Sequence, residues 1–123
     1  VVVIIGILAS IATIKYSELL RKSKEGALQG NLGTIRSALS IYYSNLEGTY
    51  PSSLDILTIS GKYLATLTES NPPYFHMGTA QIKSSLDDTA GWYYQNSGMS
   101  TEFGRVFVNC THTDSKGTAW NNY

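Results

Sequence analysis

Fourteen residues, Val1 to Ile14, pass without a charge, and nine of them are Val, Ile or Leu. Lys15 is the first charged residue, and no proline interrupts the chain before Pro51. Residues 1 to about 47 therefore read as one long helix with an apolar first half and an amphipathic second half. Apolar surface left in water costs about 25 cal/mol per Å². A protruding stem of this kind has to lie in lipid or against copies of itself. At about 1.5 Å per residue the apolar run reaches roughly 21 Å, short of the roughly 30 Å hydrocarbon core. Some six to eight further apolar residues ahead of Val1 would complete a span of about 20.

The rest of the composition narrows the function classes. The formal net charge is zero and only 15% of residues are charged. Bulk nucleic-acid binding usually leaves a strongly basic footprint, which is missing here. Near-zero charge suits a surface that approaches its own kind, because self-repulsion is removed. Nine Tyr and two Trp in 123 residues fit a small sheet with amphipathic edges. The single cysteine, Cys110, follows the alternating run Val106-Phe-Val-Asn109 and reads as a buried thiol at a strand end. It has no partner for an intrachain disulfide or a CxxC metal site.

Two units are expected: a helical stem over residues 1–25, and a head over 26–123 that includes the second half of the helix. Gly26, Gly30 and Gly33 each weaken a helix by about 1 kcal/mol relative to Ala, so this stretch is predicted to be soft. Beyond it, Ile35, Ala38, Leu39, Tyr42 and Leu46 recur at spacings of three and four, one stripe facing a core. Gly48 and Pro51 end the helix. Ser52 or Ser53 can cap a short second helix through Leu54, Ile56 and Leu57. Residues 74–77, 82–86, 91–95 and 103–109 are strand candidates, and Asn96-Ser-Gly98 supplies a turn between the last two. The head core is predicted to hold Ile35, Leu39, Tyr42, Leu46, Trp92, Tyr94, Val106 and Val108. Trp120 is the expected anchor of the polar tail.

No constellation for catalysis emerges, and the chain reads as non-enzymatic, with no cofactor, metal or small-molecule substrate expected. His76 and His112 lie far apart, without ligand company at helical spacing, and read as exposed or hydrogen-bonded histidines. Asp87-Asp88 lacks the spaced oxygens of a dedicated calcium loop. Asn109-Cys-Thr111 matches the N-glycosylation pattern, a tripeptide frequent by chance. Lys15, Arg21, Lys22 and Lys24 could meet DNA or anionic lipid, but Glu18 and Glu25 sit at helical reach, and pairing within or between chains is the plainer account.

The run Val1-Val-Val-Ile-Ile-Gly-Ile-Leu-Ala-Ser-Ile-Ala-Thr-Ile-Lys-Tyr16 resembles the amino-terminal helix of type IV pilins and pseudopilins. The resemblance continues more loosely through Leu39-Ser-Ile-Tyr-Tyr-Ser-Asn-Leu-Glu-Gly-Thr-Tyr-Pro-Ser-Ser-Leu54. It implies an α+β, pilin-like fold: a long N-terminal α-helix with a small antiparallel β-sheet head. It further implies a leader cut by a prepilin peptidase, a methylated amino terminus and an early glutamate. All of these would lie upstream of Val1. Ile14 stands where many members carry a proline that marks helix melting on assembly, so any unwinding would fall nearer the three glycines. Many members also staple a carboxy-terminal loop with a disulfide, which this chain would replace with Trp120, Tyr123 and neighbouring subunits.

The expected function is that of a major pilin, polymerising into an extracellular filament for adhesion, motility or related surface roles. The filament core would be built from Val1, Val2, Val3, Ile4, Ile5, Gly6, Ile7, Leu8, Ala9, Ile11 and Ile14. The implied partners are further copies of the chain, the inner membrane before assembly, and the pilus assembly machinery. Two alternatives stand beside it. One is the major pseudopilin of a type II secretion system, whose Asp-Pro-Trp-Gly-Asn-Pro-like segment is only faintly echoed by Glu69-Ser-Asn-Pro-Pro-Tyr74. The other is a membrane-anchored binding domain that does not polymerise.

Overall fold

A computed structural model of the chain describes residues 1–98 and 103–123. The fold is α+β: one long helix, α1 (Val2–Asn45), and a small three-stranded sheet packed on its second half. At about 1.5 Å per residue α1 runs for roughly 66 Å. It passes through Gly26, Gly30 and Gly33 without a break. A Cβ at any of the three would meet nothing within 4 Å, so no close approach requires these glycines within one subunit.

The buried face of α1 is the stripe Leu28, Leu32, Ile35, Ala38 and Leu39. Its spacing of three and four residues is that of one helix face. Tyr42 is half-buried against the same core. Leu46, expected in the head core, is instead 43% exposed. The helix ends one residue earlier, and Leu46 is its cap, donating its N–H to Tyr42 O. Glu47 and Gly48 then turn the chain away at positive φ, 52° and 87°, before the stripe can extend another turn.

Ser53 caps 3₁₀ turns over Leu54–Gly61, which seat Leu54 and Leu57 in the core and are interrupted at Ile59 and Ser60. The strands are β1 (Ile82–Lys83), β2 (Trp92–Tyr94) and β3 (Val106–Val108), in the order β1-β2-β3. β2 and β3 pair antiparallel, Trp92 opposite Val108 and Tyr94 opposite Val106. β1 joins β2 in parallel, so the sheet is mixed rather than wholly antiparallel. Parallel neighbours usually need a dozen or more connecting residues. Here residues 84–91 suffice because Asp88, Ala90 and Gly91 all take positive φ. At Gly91 a Cβ would lie 2.4 Å from Gln81 O, the oxygen that accepts the Trp92 N–H, so only glycine fits there.

Residues 74–77, a strand candidate, form a turn and bend after buried Pro72 and Pro73. Two prolines remove the donors a ladder needs. Inside the head, Trp92, Tyr94, Val106, Val108 and Trp120 are each at most 1% exposed. Two of the buried polar tips are satisfied, Trp92 Nε1 donating to Thr68 O at 2.7 Å and Tyr94 Oη to Pro51 O at 2.7 Å, whereas the Trp120 Nε1 is buried without a partner.

Candidate functional site

The stem is the first candidate. All nine large aliphatic residues between Val1 and Ile14 are 57–92% exposed, and every residue before Arg21 lies on the open surface. Val2–Leu20 makes about 30 Å of free helix, comparable to a hydrocarbon core. Among the described residues α1 is the one helix long and apolar enough to cross a membrane. Gly6, Ala9, Ser10 and Ala12 interrupt the larger side chains with small ones, the composition that lets apolar helices approach closely.

The collar between stem and head is neutralised internally. Glu18 accepts from Lys22 at 3.0 Å and faces Lys15 at 3.9 Å. Arg21 pairs with Glu25 at 3.0 Å and stands over the Tyr74 ring. Three of the four cations considered for DNA or lipid are thus engaged with carboxylates on the same helix.

Glu25, expected to pair with the collar cations, is also buried, which the sequence did not convey. Besides Arg21 it accepts from Ser115 N at 2.9 Å and Ser115 Oγ at 2.6 Å. It therefore ties the tail to the start of the packed helix. Asp114 closes the tail on itself, accepting from Lys116 N and Thr118 N, both at 2.9 Å, and from the Tyr123 hydroxyl. Trp120 is buried beneath this turn. Polar bonds to two acids, with one indole, hold the segment in place of a covalent staple.

Burial alone would raise the Asp114 carboxyl, but the bonds from Tyr123, Thr118 and Lys116 outweigh it and hold the group below its usual range. A depressed folded pKa gives stability that is present above the unfolded carboxyl value, about 3.9, and lost as pH falls through the folded value. We expect the tail to loosen only in acid below that range, seen as a change in Trp120 fluorescence. Asp114→Asn should show the loosened signal already at neutral pH. An unchanged signal in this variant would mean that the carboxylate does not hold the turn.

A second site assembles where none was expected. His76, Asp88, Cys110 and His112 each present one ligand atom, and these four atoms lie within 4.8 Å of one another. His76 comes from the turn after the double proline, Asp88 from the β1–β2 connection, and Cys110 and His112 from the segment after β3. Asp88 Oδ1 lies 3.4 Å from His76 Nε2 and 3.5 Å from His112 Nδ1. Cys110 Sγ lies 3.5 Å from the same His112 Nδ1. His76 Nε2 is shielded from solvent and makes no hydrogen bond. Phe75 stacks on the His112 ring at 4.1 Å between centroids. The Cys110 side chain is wholly buried, and that burial pushes its thiol up to about 11.

The loop that carries Asp88 is fixed by Asn109, which is also fully buried. Asn109 Oδ1 accepts from Asp87 N at 3.0 Å and Asp88 N at 3.3 Å, and its amide donates to Ala90 O at 3.1 Å. The Asn109-Cys-Thr111 tripeptide therefore supports a loop in the folded head, and its amide is closed to a glycosylating enzyme. Sequence spacing hid the four-residue cluster because its segments meet only through tertiary turns. The Cys110-x-His112 spacing was the one local signal, since residues two apart in extended chain share a side.

No family model, curated protein or solved structure matches this chain. The shape nevertheless stands by itself: a long apolar N-terminal helix and a small mixed sheet, compatible with a pilin-like subunit.

Proposed function

We propose that this chain is a structural subunit, the major pilin of a type IV pilus-like filament, held in the inner membrane before assembly and extracellular afterwards. The observation that carries the reading is the fully exposed apolar stem on a separately packed head. Lipid tails and neighbouring stems offer similar burial, so transfer from membrane to fibre involves little net hydrophobic change. Close packing of small residues and pairing of collar charges then favour the fibre. A heterologous contact that does not close on itself propagates as a helix of subunits. The stem run Val1–Tyr16 supports placing the chain with type IV pilins and pseudopilins. A second reading, a monomeric membrane-anchored domain, is favoured by the same helix's fitness to cross a bilayer.

Electron microscopy of material sheared from producing cells, with mass spectrometry of the same fraction, tests the proposal. Long thin fibres dominated by this chain are expected. A fibre-free fraction, with the protein retained in the envelope, would overturn the surface-pilin reading in favour of a secretion pseudopilin or a simple anchor.

A further inference from the structure

We propose that His76, Asp88, Cys110 and His112 form a structural site for one tetrahedral transition-metal ion, zinc by preference, that clamps the head. The inference does not depend on whether the chain polymerises. Zinc bonds of about 2.0–2.1 Å to nitrogen, 2.0–2.2 Å to oxygen and 2.3 Å to sulfur set the edges of a tetrahedron at roughly 3.3–3.7 Å. The three observed contacts, 3.4, 3.5 and 3.5 Å, have that length. The two carboxylate–imidazole contacts are too long for strong hydrogen bonds, and they leave His76 Nε2 without a hydrogen bond although solvent cannot reach it. A cation among the four atoms satisfies His76 Nε2 and explains why so many lone-pair atoms converge.

The donor set selects the ion. Two imidazoles, one thiolate and one carboxylate suit zinc, whereas calcium requires six to eight oxygens. Cys110 binds as thiolate, its proton passing to solvent. The two anionic ligands then balance the charge of a divalent ion, so no net charge is buried. Four protein ligands leave no open position for substrate, which makes the site structural.

A nucleophilic Cys-His-Asp arrangement fits less well. Cys110 and Asp88 approach the same nitrogen, His112 Nδ1, whereas a triad uses the two ring nitrogens for different partners. Hydrogen bonds already orient the carboxylate, with Thr111 N donating to Asp88 Oδ1 at 2.7 Å and Asn109 fixing the Asp88 backbone. Such supports around ligands typically change metal affinity by 10–100-fold. The ion would join the post-proline turn to the β1–β2 connection and the segment after β3, two segments that Asn109 and the Thr111 N–Asp88 Oδ1 bond already link.

The test is titration of the full, detergent-solubilised, metal-stripped chain with Co²⁺ and then Zn²⁺. We expect one Co²⁺ per chain, visible bands of tetrahedral intensity and a thiolate-to-cobalt band in the near ultraviolet, all removed by Zn²⁺. At free Zn²⁺ about 100 times Kd, Tm should rise by about 10–20 °C. Cys110→Ser should lose the thiolate band, and His76→Gln should weaken binding by at least about 100-fold. Circular dichroism of each metal-free variant reports folding separately. A folded wild-type chain without cobalt bands, or bands that survive Cys110→Ser, would overturn the site.

Discussion

Leu8→Asp is expected to remove the chain from fibres while leaving its head folded. Leu8 is 62% exposed and lies well before the first buried residue of α1, Glu25. The substitution therefore touches nothing that stabilises the head. In an apolar helix environment Leu contributes about −0.5 kcal/mol and Asp about +3 kcal/mol at mid-depth. A difference of about 3.5 kcal/mol per subunit disfavours burial of the stem, in lipid or among other stems, by a few hundred-fold relative to water. Leu8→Met, which conserves volume, should assemble normally. The measurement is fibre yield by shearing and microscopy, paired with circular dichroism of the solubilised chain. Normal fibres from Leu8→Asp would end the view that the stem is the assembly surface. Loss of the head's spectrum would contradict its independence from the stem.

The contrast between stem and head explains what the sequence could convey. The stem was legible because its signal is local: fourteen uncharged residues demand cover whatever follows them. The α+β class was legible for a similar reason, since the three- and four-residue stripe through Ile35 and Leu39 and the alternating Val106-Phe-Val run each have one period. The stripe's earlier part, Leu28 and Leu32, was obscured by Gly26, Gly30 and Gly33, which suggested softness. In the structure those glycines face outward while the leucines face the core. Leu46 shows the reverse error, because periodicity cannot report that Glu47 and Gly48 redirect the chain one residue too soon. The parallel entry of β1 depends on positive φ at Asp88 and Ala90, residues that carry no glycine signal for it. Glu25 was legible only as a helix-paired collar acid, because its bonds to Ser115 exist only once the tail folds back onto α1. The His76, Asp88, Cys110 and His112 cluster needs three such turns to be correct at once, which no spacing rule contains.

Trp92→Ala should have the opposite consequences to Leu8→Asp. Trp92 is fully buried on the central strand β2, between β1 and β3. Truncating a buried Trp costs about 3–5 kcal/mol, because surrounding side chains collapse only partly into the cavity. A domain of this size has roughly 5–15 kcal/mol in all, so the variant head should be marginal or unfolded at growth temperature. Trp92→Phe keeps most of the volume but leaves Thr68 O without the 2.7 Å bond from Nε1. Its cost should fall nearer 1–3 kcal/mol, the penalty for a buried unpaired acceptor with modest packing loss. Urea denaturation of the solubilised chains would give the order wild type, Phe, Ala in midpoint. An Ala midpoint equal to wild type would mean that Trp92 is not central to the core. The apolar stem is untouched, so Trp92→Ala should stay in the membrane fraction even as its head fails. Leu8→Asp should keep its head and lose its fibres. If head and stem act as separate units, each variant loses one property and retains the other, and a variant that lost both would show them to be coupled.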